Sequence, residues 1–260
     1  FGDYITDKTY NILSTEGLTK KYGALVVTDN VSIDIKQGEI HAVIGPNGAG
    51  KTTLINQLSG ELEPQEGKIY FNGSNVTGLG IHERARAGLI RSYQITSVFD
   101  ELSVLENTVF AALASRKHAF RFWGSLLSHK QEVACAISAL ELTGLSSHAE
   151  LPAHQLGYGQ RRQLELAMAL ASNPKFLLLD EPMAGMSVQE SKGVIELLRS
   201  LRRQYSILLV EHDMNAVFEL ADRISVLVYG RILLTGTPDE IKANEEVRAV
   251  YLGDEEVAAS

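Results

Sequence analysis

Gly45-Pro46-Asn47-Gly48-Ala49-Gly50-Lys51-Thr52-Thr53 fits the spacing G-x-x-x-x-G-K-[ST], and the short apolar run Ile40-His41-Ala42-Val43-Ile44 leads straight into it. Glycines at this spacing let the backbone curl until successive N–H groups point inward, and a following helix adds partial positive charge at its N-terminus. The result is a cradle for the phosphates of a nucleotide, in which Lys51 reaches the β- and γ-phosphates, the Thr52 hydroxyl binds Mg²⁺ and Thr53 contacts the α-phosphate. Further along, Phe176-Leu177-Leu178-Leu179 ends in Asp180-Glu181. Carboxylates at the end of a buried strand emerge at the edge where open α/β sheets bind ligands, so the two should face the phosphate loop together. Asp180 then holds the Mg²⁺ shell, and Glu181 orients and deprotonates an attacking water. A third cluster, Leu156-Gly157-Tyr158-Gly159-Gln160-Arg161-Arg162-Gln163, puts a glycine turn at the start of a helix just ahead of that strand, which implies a second anion site.

Three single residues join these motifs with less support of their own. Gln94, in Arg91-Ser92-Tyr93-Gln94, stands where an amide can touch Mg²⁺ or the lytic water, although most glutamines are surface residues. His212, in Val210-Glu211-His212-Asp213, follows a buried strand and so reaches the same edge, where it can approach a γ-phosphate; a lone histidine there is otherwise structural. Tyr22, after Lys20-Lys21 and before Gly23, can stack on a base, or can be an ordinary turn tyrosine. No cysteine-based metal site is open to the single Cys135, and Glu211-His212-Asp213 lacks the spacing of a zinc protease.

The elements that must position these groups are legible as patterns. Ile12 to Ile44 is short and strand-like, with Val31-Ser32-Ile33-Asp34-Ile35 alternating before a Gln37-Gly38 turn, and predicts a small antiparallel sheet. A helix is predicted over Thr52–Leu62. Between Ser92 and Gln155 helix formers dominate, with Val104–Ser115 and Gln131–Leu142 the clearest helices and a basic-aromatic loop, Arg116–Trp123, between them; that loop is either solvated or a contact for lipid or a membrane subunit. Strands at Phe176–Leu179 and Ser206–Val210, separated by a helix over Val188–Gln204, form a parallel βαβ pattern. Ile224–Tyr229 and Arg231–Leu234, joined at Gly230, make a strand pair before a polar helical tail.

With 260 residues the chain can bury a substantial α/β core, and its 24 basic against 32 acidic residues give a net charge of −8, which argues against nucleic acid as the main partner. No apolar stretch approaches the roughly 18–20 residues that cross a bilayer, and Phe1-Gly2-Asp3-Tyr4 does not read as a signal sequence. A cytoplasmic protein is expected, with any membrane role exercised through a partner. Because residue 1 is not Met, the first few residues are expected to be a trimmed end.

Together, and in this order, Gly45–Thr53, Gln94, Leu156–Gln160, Asp180-Glu181 and His212 resemble the ATP-binding cassette (ABC) family across nearly the whole chain. Tyr158-Gly159-Gln160-Arg161-Arg162, Glu211-His212-Asp213-Met214 and the tail Val247-Arg248-Ala249-Val250-Tyr251-Leu252-Gly253 are similar to the ATPase subunits of branched-chain amino-acid importers. The resemblance implies an α/β phosphate-loop NTPase fold: a RecA-like mixed-sheet core, an antiparallel β-subdomain and an inserted α-helical subdomain. The expected divisions are 12–91 for the β-subdomain and first half of the core, 92–158 for the helical subdomain ending in the signature, 159–240 for the second half of the core, and 241–260 for a helical tail. It also implies ATP and Mg²⁺ as ligands, with Thr52, Gln94 and Asp180 on the metal and Gly45, Pro46, Asn47, Gly48, Ala49, Gly50, Lys51, Thr52, Thr53 and Tyr22 on the nucleotide. The signature residues Gly157, Tyr158, Gly159 and Gln160 would face the γ-phosphate held by a second cassette, an identical copy or a paralogue, arranged head to tail. Two membrane-spanning permease subunits and, indirectly, an external solute-binding protein complete the expected assembly, which places the chain peripherally at the cytoplasmic face of the membrane.

Two positions depart from the family pattern. Gly157 stands where a serine hydroxyl usually binds the γ-phosphate, as is often so in the branched-chain type, and Ser187 stands where many relatives have Asp. Importers of urea or amides, and lipid or export systems, share the same motor and remain alternatives. A soluble ribosome-acting cassette is a poorer fit, since such proteins usually carry two cassettes and basic linkers.

Overall fold

The computed structural model, which describes residues 10–92, 98–114 and 128–250, begins with a hairpin of β1 (Asn11–Tyr22) and β2 (Leu25–Val31), followed by β3 (Asp34–Lys36) and β4 (Ile40–Ile44). The phosphate-loop sequence runs from β4 into α1 (Lys51–Ser59), and β5 (Glu66–Phe71), β6 (Ser74–Asn75), α2 (Ile81–Ala87) and β7 (Leu89–Arg91) come next. Then come α3 (Val104–Ala114), α4 (Lys130–Leu142), α5 (Tyr158–Ala171), β8 (Phe176–Asp180), α6 (Val188–Leu201) and β9 (Ser206–Val210). The described chain closes with α7 (Met214–Leu220), β10 (Arg223–Val228), β11 (Arg231–Gly236) and α8 (Pro238–Ala243), and residues 245–250 are again helical.

Two sheets result. One is antiparallel, in the order β2-β1-β5-β6 with β3 also on β1. The other is mixed, in the order β11-β10-β4-β9-β8-β7, all parallel except β11. Strands buried on both faces need apolar residues at every position, and β8 and β9 show how the two faces are used. Leu177, Leu179, Ile207 and Leu209 pack on one side with residues of α3, α4, α5 and α6. Phe176, Leu178, Leu208 and Val210 pack on the other with Leu54, Ile55 and Leu58 of α1 and with Leu13, Ile35 and Ile69 of the antiparallel sheet. Each fully buried side chain of this kind contributes about 1.5–3 kcal/mol, so the strands that carry the site are held from both sides.

Several boundaries differ from the sequence pattern, each for a local reason. α1 stops at Ser59 rather than Leu62, because Gly60 turns left-handed (φ 86°) and closes the helix. α6 stops at Leu201 rather than Gln204, because Arg202 turns out of the helix (ψ 139°). α5 packs against both α3 and α4, so the helical bundle runs past the expected division at residue 158 and includes the helix that the signature opens. The basic-aromatic loop Arg116–Trp123 and the tail from Tyr251 onward lie outside the described residues.

Candidate functional site

The parallel register sets the geometry of the site. Val43 on β4 and Asp180 on β8 both pair with Val210 on β9, and Arg91 on β7 pairs with Leu178 on β8. The C-terminal ends of these four strands therefore lie along one edge. β4 delivers the phosphate loop there, β8 the Glu181 turn, β9 His212, and β7 the segment toward Gln94. Gln94 itself lies outside the described residues.

At that edge a cleft of about 220 Å³ is lined by Asn47, Gly48, Ala49, Gly50, Lys51, Thr52 and Thr53 together with Val27, Glu181 and His212. Gly50 has φ 105°, and a Cβ there would stand 2.4 Å from the Val27 carbonyl oxygen, so only glycine lets β2 approach the loop this closely. α1 has no side-chain cap and no acidic residue in its first turn, which leaves its positive end available to an anion. Lys51 is buried and its ammonium donates to the carbonyl oxygens of Gly45 and Pro46. Burial lowers its pKa, while the neighbouring charges of Glu181 and Asp180 oppose the shift. The far end of α1 is anchored by the buried Arg84, which donates to the carbonyls of Gln57 and Leu58; burial brings its pKa down to about 10.

The paired carboxylates take different partners. Glu181 takes φ 48° as its N–H donates to the Val210 carbonyl at 2.8 Å, and its Oε1 lies 3.0 Å from His212 Nε2. Asp180, the last residue of the strand, pairs with Arg91 at 2.7 Å. A strand alternates its side chains, and the left-handed turn at Glu181 gives the two carboxylates these different partners.

Two residues that hold this edge stand beside candidate residues in the sequence but were given no role there. Arg91 is 1% exposed and links Asp180 to Asn56 of α1 (2.7 Å) and to Glu61 (3.1 Å). Glu211, also buried, accepts the Met183 N–H at 3.0 Å and the His212 N–H at 3.1 Å, tying the turn after β8 to the turn after β9. The signal available in the sequence was position alone, since a charged residue at the end of a buried strand needs a partner.

The structure does not bring the signature into this cleft: none of Leu156 to Gln160 lines it. Gly157 is the N-cap of α5, and its N–H donates to Gln160 Oε1 at 3.0 Å, half of a capping box that a glycine cannot complete. Gln160 also meets His148 at 3.0 Å. The Tyr158 hydroxyl donates to the Ala184 carbonyl at 3.0 Å, and the Arg162 guanidinium lies 5.7 Å from the Tyr158 ring centre. Tyr22 ends β1 as an exposed side chain with the Lys20 ammonium 5.9 Å from its ring centre, on the hairpin that carries Val27. It does not line the cleft.

Among the described residues no three His, Cys, Asp or Glu side chains are grouped to hold a metal by themselves. Mg²⁺ in nucleotide sites typically takes one or two protein oxygens and completes its shell with phosphate and water, which suits Thr52, exposed in the cleft wall, and Asp180, whose charge acts on the adjacent Lys51.

A parallel sheet with a glycine-rich phosphate loop at one strand end and an Asp-Glu pair two strands away defines a phosphate-loop nucleotide-binding ATPase. Residues 28–184 match the family described as ABC transporter, and the chain belongs to it, as an ATP-binding cassette with ATPase chemistry. Residues 231–257 match a second family, described as branched-chain amino acid ATP-binding cassette transporter. The chain is 38% identical over 251 residues to the high-affinity branched-chain amino acid transport ATP-binding protein LivG of Escherichia coli strain K12, covering 94% of this chain and 98% of that one. It is 36% identical over 255 residues to BraF of Pseudomonas aeruginosa, of the same description, with the same coverage. It is also 36% identical over 248 residues to the lipopolysaccharide export system ATP-binding protein LptB of Haemophilus influenzae, covering 94% and 98%. Among solved structures, the ADP conformation of an ATP-binding cassette of an ABC transporter superposes with a TM-score of 0.84 at 29% identity, covering 94% of this chain and all of that one. A bacterial ABC transporter cassette solved as a dimer superposes with a TM-score of 0.72 at 25% identity, covering 87% and 98%.

Proposed function

We propose that this chain is the ATP-hydrolysing subunit of an ABC importer for branched-chain amino acids. The observation that carries the substrate class is the match of residues 231–257, outside the catalytic motifs, to the branched-chain family. Full-length similarity to LivG and BraF supports the same reading.

In this reading ATP lies along the Gly45–Thr53 cradle, with its base toward Tyr22. Lys51 exchanges its bonds to the Gly45 and Pro46 carbonyls for the β- and γ-phosphates, and its partial desolvation strengthens that contact. Thr52 and Asp180, with Gln94, would hold Mg²⁺, which would supply positive charge against the phosphates. Glu181 accepts the proton of the attacking water. His212, 3.0 Å from that carboxylate, holds its orientation and lies within the same cleft as the γ-phosphate. A second cassette, identical or paralogous, presents its α5 N-terminus to this γ-phosphate, so that ATP joins the two and hydrolysis releases them.

Two permease subunits convert that closing and opening into transport, with a solute-binding protein supplying them from outside. In this assembly the chain sits peripherally on its permeases at the cytoplasmic face; no described helix is long and apolar enough to cross a membrane. The divisions at 92–158 and 159–240 are best kept as functional units, with α5 shared between them.

The test is uptake of radiolabelled leucine by cells carrying the complete transporter, with the wild-type chain or Glu181→Gln, together with identification of the membrane subunits that co-purify. Uptake lost in the variant, with amino-acid permeases bound, is the expected result. The similarity to LptB favours one second reading, a lipid exporter; unchanged leucine uptake and co-purification with an export complex would establish it instead.

A further inference from the structure

The first turn of α5 carries no acidic residue and its N-cap has no side chain, although the N-terminus of a helix attracts negative charge. A carboxylate nevertheless reaches it from another helix. Glu190, in the first turn of α6, accepts the Ser187 N–H at 2.8 Å and the Ser187 hydroxyl at 2.7 Å through Oε2. Its Oε1 lies against Gly159 so closely that a Cβ on that residue would stand 2.2 Å away. The Ser187 hydroxyl, then the Ser187 N–H, and also the main chain of Gly159 hold the Glu190 carboxyl below the usual carboxylate range, so it is charged where it sits.

We propose that Glu190 is an internal occupant of the phosphate-facing end of α5, which the γ-phosphate of the opposing cassette displaces, so that Glu190 sets the ATP concentration at which two cassettes close. This rests on the sandwich arrangement proposed above. Two negative groups cannot share the Gly159 end of one helix without repulsion, and the incoming phosphate carries more charge. Glu190 has somewhere to go: its bonds to Ser187 stay in place while Oε1 swings from Gly159. Ser187 is what permits this, because it offers a hydroxyl donor where an Asp would set a second carboxylate against Glu190. Gly159 serves both states, since any larger residue would strike Glu190 in one and crowd the phosphate in the other.

Glu190→Gln removes the charge and keeps an amide oxygen to accept the Ser187 N–H, so the cap of α6 survives. The measurement is ATP-driven dimerisation followed by sedimentation in a Glu181→Gln background, for the chain alone and mixed with whichever cassette co-purifies with it. Glu190→Gln should lower the ATP concentration for half-maximal dimerisation roughly two- to fivefold, while ATP affinity of the single cassette and its melting temperature stay unchanged. Glu190→Asp, one methylene too short to reach Gly159, should shift the midpoint the same way and serves if the Gln variant does not fold. If Glu181→Gln never dimerises with ATP, the sandwich reading itself falls, and this inference with it. If it dimerises but the Glu190 variants leave the midpoint unchanged or raise it, or change single-cassette affinity by the same factor, the Glu190 inference alone is overturned.

Discussion

The starts of α1 and α5 are both glycine-bearing helix N-termini suited to anions, yet the structure furnishes them in opposite ways. Around α1 the single chain assembles a lined cleft, with Lys51, Glu181 and His212 converging from three strand ends. Around α5 the same chain supplies a carbonyl for Tyr158, an amide for Gly157 and the Glu190 carboxylate against Gly159. A helix end that no cleft of its own chain completes still has to be satisfied, and internal groups do that. In the proposed sandwich the first site serves affinity and the second exchange.

The comparison breaks most visibly if chemistry does not reside at the first site. Glu181→Gln should bind ATP normally and lose about 10²–10⁴-fold in turnover, because only the proton acceptor is removed. Steady-state ATPase at the wild-type rate would remove Glu181 from the mechanism. Next in size is Arg91→Met, which strands Asp180 and Glu61 beside an apolar side chain. Discounting for the partial exposure of both carboxylates, a loss of about 2–3 kcal/mol in unfolding free energy is expected in denaturant titrations. Arg91→Lys should recover only part, since a single ammonium cannot serve Asn56, Glu61 and Asp180 together.

Lys51→Ala should weaken ATP binding about 10- to 100-fold by calorimetry, the worth of charged hydrogen bonds to phosphate. Native affinity in that variant would mean the cradle binds through its backbone alone. The smallest effect sharpens the contrast from the other side. Gly157→Ser completes the capping box that Gln160 half makes, so stability should change by a few tenths of a kcal/mol and ATPase should stay within about twofold. A larger change in turnover would show that the start of α5 works through side-chain donors as well as main-chain ones.

Much of the fold was legible from local pattern. Ile40–Ile44 and Ser206–Val210 read as buried strands and are such, and the strand, loop and helix around Gly45–Thr53 come in the order their spacing implied. Helix ends were less legible, because a single residue leaving helical geometry, such as the left-handed Gly60 or the extended Arg202, decides where a periodic run stops. The partners of Asp180 were not legible at all. Arg91 lies 89 residues from Asp180, and no periodicity relates them; only the pairing of β7 with β8 brings them to one edge. The same holds for Glu211 and Met183, 28 residues apart, and for Glu190 against Gly159.

The sequence by itself determined which residues can do chemistry, because glycine, lysine and carboxylate have fixed capabilities and their spacing is local. It also determined the family, because those motifs recur in one order. The tertiary structure alone decided which charge faces which: Glu181 to His212, Asp180 to Arg91, Glu190 to the start of α5. The reason is physical, since strand order and helix packing, rather than distance along the chain, set which side chains share a low-dielectric edge and must neutralise one another there.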